Sequence, residues 1–358
     1  MAYPPNVAER RWKEDLVPTQ RPVLLVGSVP LGSATEVFET IASSLGGLAR
    51  RIPDGETGNR LDFIGWQQEV FRKAAGLEAE GRREVPGGPP FTTFRLKAGV
   101  AAKDVKFGPT GYAAAALQSF EDFKRLRAVG KVPAGMRLQV CLPTPLAVTN
   151  VFVAEAAALS VWPTYERRLL EEVDEVCRAI PHRDLAIQWD LVEPVIMEGS
   201  WARLSVERVA SAIARLVDRV PADVEVGMHL CYGDRGHKHL VEPKDMALMI
   251  DLSNRVSSAS IRSITWLHMP VPRSRSDDAY FAPLRDLNLK TLSELYLGIV
   301  HLTDGIDGAK RRLAAAKRAA ADFGIATECG WGRRQRETVP ALLNLHREIA
   351  QLGQAGER

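Results

Sequence analysis

A short apolar run ends in chemically reactive side chains in the stretch Val224-Glu225-Val226-Gly227-Met228-His229-Leu230-Cys231-Tyr232-Gly233-Asp234. The branched apolar residues at its start are typical of a buried strand, and the Gly-Asp pair at its end is typical of a loop. The same order of features recurs at residues 185–194, 261–270, 296–305 and 325–334. Parallel α/β folds build their sites from such strand ends, so the stretch predicts this class of fold.

Eight apolar runs alternate with amphipathic segments along the chain. The runs span residues 23–26, 49–52, 138–142, 185–189, 224–228, 261–267, 296–300 and 325–327. Apolar residues recur at i, i+3 and i+4 between them, which predicts helices over residues 35–49, 164–180, 205–220, 244–256, 309–323 and 338–352. Eight strand-helix units predict a (β/α)8 TIM barrel.

One polar stretch, residues 76–132, interrupts this alternation and contains Pro86-Gly87-Gly88-Pro89-Pro90. We expect it to be an insertion after the second strand of the barrel. The length of 358 residues fits one large α/β barrel. We therefore predict a single domain over residues 1–358, with residues 1–20 as an N-terminal extension.

The composition excludes several classes of protein. Hydrophobic residues make up 46% and charged residues 25%, which is typical of a soluble globular chain. The 47 basic residues are interspersed among 44 acidic ones, so no nucleic-acid partner is expected. No apolar run approaches the ~20 residues of a membrane span, and no apolar core follows the N-terminal charges as in a signal peptide. Four cysteines are too few for a disulfide scaffold, which favours the reducing cytoplasm. The expected partner is a small-molecule substrate, and a homo-oligomer is compatible with the sequence.

The sharpest motif is His229-Leu230-Cys231. Residues i and i+2 of an extended segment point to the same side, so both side chains can reach one ion. Cys329 follows the last apolar run and would meet them at the same face of a barrel. A His/Cys/Cys set with an open fourth position is the composition of a catalytic zinc site, so zinc is the predicted cofactor. The alternative is that all three are buried core residues.

Other polar residues also fall at predicted strand ends. Asp190 and Glu193 are candidates for acid–base chemistry or for binding a substrate cation, or they cap a loop. His268 and His301 are candidates for a general base or for the missing metal ligand. The predicted substrate-binding residues are Ser28, Asp54, Glu56, Trp189, Arg333 and Arg334, with the arginines as clamps for an anionic group. Aromatic residues near the site loops predict a pocket for a flat molecule, or they only pack: Trp66, Trp189, Trp266, Tyr280, Phe281 and Trp331.

Five segments taken together resemble a known family. They are Leu25-Val26-Gly27-Ser28-Val29-Pro30, Asp54-Gly55-Glu56, Gln188-Trp189-Asp190-Leu191-Val192-Glu193-Pro194, His229-Leu230-Cys231-Tyr232 and Glu328-Cys329-Gly330-Trp331-Gly332-Arg333. They are similar to the Gly-Ser-x-Pro, Asp-Gly-Glu, Gln-x-Asp-Glu-Pro, His-x-Cys-Tyr and Asp-Cys-Gly-x-x-x-Arg elements of the cobalamin-independent methionine synthase superfamily. That superfamily shares its barrel with uroporphyrinogen decarboxylase. The resemblance implies a zinc ion that activates a substrate thiol for alkylation, usually by a methyl donor.

Two departures shape the function that the resemblance implies. The family has a glutamate zinc ligand at the end of the sixth strand, whereas this chain reads Ile264-Thr265-Trp266-Leu267-His268-Met269-Pro270. His268 replaces that ligand, or the metal is bound differently, or no metal is bound. The length leaves room for one barrel, not for the duplicated form that helps to hold a polyglutamylated folate. We therefore expect a methionine-synthase-like transfer that does not use folate.

Three functions follow from these residues. The first is a zinc-dependent methyl or alkyl transferase that acts on a thiol, with Asp190, Glu193, Asp54 and Glu56 positioning the acceptor. The second is a lyase or decarboxylase acting on a small, flat or aromatic substrate by acid–base chemistry on the same barrel. The third is a binding protein that retains the barrel without the chemistry.

Overall fold

The computed structural model describes residues 20–198, 204–233, 235, 239–289 and 292–352. Its strands, in chain order, are β1 (Arg51–Pro53), β2 (Leu77–Arg83), β3 (Phe91–Leu96), β4 (Arg137–Pro143), β5 (Leu185–Leu191), β6 (Glu225–Leu230), β7 (Ile264–Pro270), β8 (Leu292–Val300) and β9 (Gly324–Thr327). Among the described residues, seven of them form one sheet in the order β1-β4-β5-β6-β7-β8-β9, and every neighbouring pair is parallel. The order follows the chain, so each crossover leads to the next strand and the carboxyl ends of these strands lie at one edge of the sheet.

Helices connect the strands and cover the outer face of the sheet. They are α1 (Ala34–Leu45), α2 (Gln68–Lys73), α3 (Tyr112–Ala128), α4 (Pro145–Phe152), α5 (Glu155–Ala179), α6 (Glu193–Glu198), α7 (Val206–Arg219), α8 (Ala247–Ala259), α9 (Asp278–Phe281), α10 (Gly305–Lys317) and α11 (Val339–Ala350). The helix α11, last in the chain, packs against α1, the first. No helix in the described ranges has the length and apolarity that crossing a bilayer needs.

Residues 23–26 differ from the regular strand that their apolar run predicts. Val23 forms one isolated parallel bridge with Ile325 of β9, and the Val23 amide donates to the carbonyl of Leu48. The Gln139 side-chain amide donates to the carbonyl of Leu25 at 2.9 Å. At residues 23–26, side-chain amides thus replace part of the backbone pairing of a regular strand. This explains why the main sheet has seven regular strands where eight were predicted.

The predicted insertion, residues 76–132, contains a hairpin and a helix. Strands β2 and β3 pair with each other in an antiparallel hairpin, and the Pro-Gly-rich patch at residues 86–90 lies between them. Helix α3 packs against α1 and α5, so its position is in the outer layer. Of the predicted N-terminal extension, residues 1–19 lie outside the described residues.

Two sets of buried side chains hold the layers together. A large cluster lies between the sheet and the helices, and it includes Trp189 of β5. A small separate cluster contains Leu24, Val26, Ala186, Trp266 and Tyr296. Since successive side chains of a strand point to opposite faces, Ala186 and Trp189 lie on different sides of β5.

Candidate functional site

Two cysteines and one histidine come together at the carboxyl ends of β6 and β9. His229 is on β6, Cys231 follows the end of that strand, and Cys329 lies two residues beyond β9. Their side-chain nitrogen and sulfur atoms all lie within 4.8 Å of one another, and 3.9 Å separates the two sulfurs. The Gly233 amide donates to Cys231 Sγ at 3.2 Å. The sequence therefore predicted correctly that these three side chains are neighbours.

A chain of hydrogen bonds fixes the tautomer of His229. His268 Nε2 lies 3.1 Å from the carbonyl oxygen of Thr327, which can only accept, so this nitrogen carries the proton. In a neutral imidazole the other nitrogen then accepts, and His268 Nδ1 lies 2.7 Å from His229 Nδ1. His229 Nδ1 is therefore the donor, and its Nε2 keeps a free lone pair.

That lone pair is buried and available. His229 Nε2 has no hydrogen-bond partner among the described residues, and the side chain is buried. Burial, with a smaller contribution from His268, holds the pKa of His229 well below its ordinary value, and burial lowers the pKa of His268 to about 3. Both imidazoles are thus neutral at neutral pH, the form that binds metals.

The donor set fits a zinc ion. One imidazole nitrogen and two thiol sulfurs are the ligand types of catalytic zinc sites with three protein ligands. A buried nitrogen without a partner is costly unless something occupies its lone pair, which is a second reason to expect an ion at this place. His268 does not join the set, because both of its nitrogens are engaged. The interpretation of His268 as the fourth ligand is not supported by its hydrogen bonds.

Two buried carboxyl groups face the same cavity as these three residues. Burial raises the pKa of Glu56 to about 8, although Arg60 and Arg333 act in the opposite direction. Burial also raises the pKa of Asp190 well above its usual range, against a hydrogen bond of 2.8 Å from the Gln188 side-chain amide. Glu56 is therefore largely protonated near neutral pH and can donate as well as accept hydrogen bonds, and the pKa of Asp190 is shifted in the same direction.

Ser28 joins the loop after β9 to this cavity. Its hydroxyl accepts from the Gly332 amide at 3.1 Å, and its carbonyl accepts from the Trp331 amide at 2.6 Å. A Cβ on Gly330 would lie 2.4 Å from Ser28 Oγ, so only glycine fits there. This contact sets the position of the loop that carries Cys329 and Arg333.

The wall of the cavity is mostly apolar, and the sequence analysis missed it. Side chains from the hairpin, from helix α4 and from neighbouring loops line the wall, among them Phe63, Val85, Phe91, Val151, Val192 and Leu240. The cavity contains about 1000 Å³ of space, part of it open to solvent. The Pro-Gly patch between two short apolar segments was a hairpin signal, but nothing in it indicated which way the hairpin folds.

Seven of the predicted site residues line this one cavity, and six do not. Those that line it are Ser28, Glu56, Asp190, His229, Cys231, Cys329 and Arg333. Those that do not are Asp54, Trp189, Glu193, His268, His301 and Arg334. Likewise, none of the six aromatic residues singled out as a flat-molecule pocket is among the lining residues in the described part of the chain.

The residues outside the cavity have other contacts. Asp54 accepts from Arg60 and from the Ser119 hydroxyl, both at 2.7 Å, and so shapes the turn that presents Glu56. Trp189 is fully buried among the outer-layer residues. His301 Nε2 lies 2.8 Å from the Val271 carbonyl oxygen, and burial lowers the His301 pKa to about 3.

Glu193 is completely buried. The Thr144 hydroxyl donates to Glu193 Oε1, whereas Oε2 has no partner among the described residues. Burial raises the pKa of Glu193 to about 7, against the hydrogen bond from Thr144. Because Glu193 does not line the cavity, its contacts give no direct support to a catalytic role.

Comparison with known proteins identifies the fold. No protein-family model and no curated protein matches the chain. A B12-independent methionine synthase from Shewanella sp. W3-18-1, solved with selenomethionine, is 13% identical, with a TM-score of 0.64 over 93% of this chain and 97% of its own. A methyltransferase from Methanosarcina mazei is 14% identical, with a TM-score of 0.52 over 92% of this chain and 94% of its own. The chain has the fold of these two proteins.

The resemblance seen in the sequence is thereby confirmed at the level of the fold. Coverage of more than nine-tenths of each chain means that the likeness extends through the whole α/β unit. Identities of 13% and 14% support a shared fold, but they do not support a shared substrate, cofactor or catalytic residue. The chemistry of the site has to be argued from this chain's own residues.

Proposed function

We propose that the protein is a zinc-dependent methyl or alkyl transferase that activates a small thiol. The observations that carry the proposal are the buried His229 Nε2, which has no partner in the described chain, and the approach of one His229 ring nitrogen to within 4.8 Å of two thiol sulfurs. His229, Cys231 and Cys329 would hold the ion. When bound, zinc would lower the pKa of a substrate thiol and so supply a nucleophile at neutral pH.

The other cavity residues position the reactants. Glu56 and Asp190 bind the polar group of the thiol substrate, and Arg333, whose charge acts on Glu56 together with that of Arg60, provides a cationic contact in the cavity lining. Transfer forms a bond from sulfur to the alkyl carbon and breaks the bond from that carbon to the donor heteroatom, which keeps the electron pair. The thiol proton passes to water at the open side of the cavity before transfer, and Asp190 or Glu56 in its protonated form donates a proton to the donor heteroatom.

The chemistry resembles that of methionine synthases without being folate-dependent methionine synthesis. Apolar side chains dominate the cavity wall, and its lining cations in the described chain are Arg235 and Arg333, so the cavity offers little to a polyglutamate tail. The lyase alternative uses His268, His301, Asp190 and Glu193 as acids or bases, and of these four only Asp190 lines the cavity. Both histidines are hydrogen-bonded to backbone carbonyls, so this alternative is the less supported of the two.

We also infer a closed (β/α)8 barrel in a single domain. The Leu24 amide donates to the Ile325 carbonyl of β9, and the Val23 amide donates to the Leu48 carbonyl next to β1. Residues 23–26 would thus fill the gap between the first and last strands, with residues 76–132 as an insertion. None of the four cysteines, all in the described ranges, forms a disulfide, which fits a reducing compartment such as the cytoplasm. A small-molecule substrate and a homo-oligomer remain part of this proposal.

The metal content of the purified protein tests the proposal. We expect about one zinc per chain in the wild type and none in Cys329→Ser or His229→Ala. Cys177→Ser, a matched change in the outer helix α5, should retain the metal. Absence of zinc from wild type, even after reconstitution under reducing conditions, would contradict the proposal. Zinc in the wild type, together with methyl transfer to a thiol detected by mass spectrometry, would support the proposal.

A further inference from the structure

The wall of the cavity contains few groups that could hold a charge. Arg235 lies in the wall, but it is already engaged, because its guanidinium donates to the carbonyls of Val85 and Pro89 at 3.1 Å each. The same guanidinium stacks over Phe91 at 4.4 Å and lies 3.6 Å from Asp62. The Arg235 guanidinium therefore has partners already, and the desolvation of a charged substrate body beside it would be unfavourable.

The backbone of this wall is strained at a bulky aromatic residue. Glu56 and Phe63 are the positive-φ non-glycine residues of the described chain, with φ of 46° and 52°, and both line the cavity. Positive φ in a residue as large as Phe63 is sterically costly and is retained where the surrounding structure imposes it. Two such residues facing one cavity indicate that their side chains are held there for contact with a ligand.

Phe63 and Phe91 provide two phenyl rings to the same space. Phe63 is half-buried and Phe91 is nearly buried, and Val85 and Val151 lie on the same wall. Aromatic side chains bind flat apolar groups through their area and through edge or offset stacking.

We propose that the substrate in this cavity has an uncharged aromatic body that packs against Phe63 and Phe91. The inference rests on the proposed function for the direction of the ligand, whose reacting group would face Cys231 and Cys329. It goes further by naming the substrate class. The ring belongs either to the thiol acceptor or to the alkyl donor. In both cases the cavity wall would bind the ring in the same way.

Binding of three probes to the purified, zinc-loaded protein tests the class. Benzyl mercaptan carries a thiol on a ring, 2-mercaptoethanesulfonate carries a thiol on an anion, and methoxybenzene carries a methyl ether on a ring without a thiol. Calorimetric titration should give a Kd for benzyl mercaptan at least about tenfold below that for the sulfonate, a difference expected from burying one ring. Binding of methoxybenzene as well as benzyl mercaptan shows that the wall recognises the ring without a thiol.

Substitutions at Phe63 test the role of the strained residue. Phe63→Gly and Phe63→Ala should each raise the Kd for the ring probe about tenfold and leave that for the sulfonate unchanged. Because φ is positive there, Phe63→Gly should unfold at a higher temperature than Phe63→Ala, whereas the order is reversed at an ordinary position. Phe107 is a half-buried phenylalanine outside the cavity lining and is the matched control. Phe107→Gly should lower the unfolding temperature and leave both Kd values unchanged.

The outcomes separate this inference from the proposed function. Methoxybenzene binding that persists in metal-free protein supports the aromatic class even if no transferase activity is found. Equal or tighter binding of the sulfonate in a protein that holds zinc overturns the aromatic class and leaves the metal centre intact. A Phe63→Gly variant that binds benzyl mercaptan like wild type also overturns it.

Discussion

The two imidazoles of the candidate centre differ in what their nitrogens can still do. Both nitrogens of His268 are in hydrogen bonds, whereas His229 has one nitrogen left. His268 therefore acts through His229, by holding the ring and by fixing the tautomer that leaves Nε2 unprotonated. Removal of such a supporting partner typically costs a metal site about 10–100-fold in affinity.

Substitution of His268 distinguishes a supporting residue from a ligand. We expect His268→Ala to weaken zinc binding about 10–100-fold without abolishing it. His268→Asn should retain more affinity than His268→Ala, because the Asn oxygen can accept from His229 Nδ1. Competition with a chelator of known affinity measures both. Complete loss of zinc in both variants, as expected for His229→Ala, would instead make His268 a ligand.

Glu193 makes the stability of the protein depend on pH. Its pKa rises from 4.5 to about 7 on folding because the carboxyl is buried. The folded chain thus binds the proton more tightly, so this residue's contribution to the free energy of unfolding is largest below pH 4.5. That contribution falls as pH increases through about 7, by about 3 kcal/mol in total.

Urea unfolding of Glu193→Gln over pH 4–8 checks this contribution. The variant should lose less stability than wild type as pH increases across that range. Glu337→Gln, at an exposed position, provides the control and should follow the wild-type curve. A Glu193→Gln curve parallel to that of wild type would mean that Glu193 does not carry the shift.

At this scale the sequence identifies the residues better than their roles. The spacing of His229 and Cys231 follows from strand geometry, and Cys329 lies at the matching strand end, so this cluster was predictable. The role of His268 was not, because it depends on the carbonyl of Thr327 on another strand. Trp189 was misinterpreted for a simpler reason. Its neighbour Asp190 faces the cavity, so the alternation of a strand turns Trp189 away from it.

At the scale of single elements, β6 and β7 pack closely where a glycine of one strand faces a tryptophan of the other. Gly227 of β6 is paired in register with Trp266 of β7, which is fully buried. A Cβ on Gly227 would lie 1.9 Å from the Trp266 ring. The glycine is thus required by the close approach of an indole.

Gly227→Ala should therefore destabilise the protein. We expect a loss of about 1–3 kcal/mol in the free energy of unfolding, because the tryptophan has to move in a packed interior. Gly47→Ala has open space at its Cβ and should change stability by less than about 0.5 kcal/mol. Urea denaturation of both variants gives the comparison. Equal stability of the two would show that the indole relaxes freely.

Element prediction from the sequence failed where side chains replace backbone pairing. Residues 23–26 have the apolar pattern of a strand, but the Gln139 amide binds the carbonyl of Leu25. Helix α3 was missed because it lies inside a polar stretch that otherwise resembles an insertion. The long helices α5, α7 and α11 were predictable, since their apolar positions repeat with helical spacing.

At the scale of the whole molecule, one buried arginine joins strands that are not neighbours in the sheet. Arg51 of β1 donates to Glu225 of β6 at 2.5 Å and to Glu294 of β8 at 2.8 Å. Its guanidinium stacks on Trp266 of β7 at 4.2 Å. Strands that are far apart in sheet order can share one side chain only if the sheet curls strongly, so Arg51 reports directly on the curvature.

Removal of one partner of this ion cluster should destabilise the whole fold. Arg51→Met leaves the Glu294 carboxylate buried with Arg50 and the Tyr296 hydroxyl as its remaining partners, and breaking a buried ion pair typically costs about 3–5 kcal/mol. In the double variant Arg51→Met/Glu294→Met, Glu225 keeps Arg137 and the partly exposed Arg50 reaches solvent. No charge is then stranded, and we expect most of the lost stability to return.

Urea unfolding followed by circular dichroism measures this recovery. A double variant much more stable than Arg51→Met identifies the stranded charge of Glu294 as the cause of the loss. A double variant no more stable than Arg51→Met would mean that Arg51 stabilises the curled sheet through packing on Trp266. Lys131→Met provides the control, because its ion pair with Glu39 is exposed, and such pairs contribute about 0–1 kcal/mol.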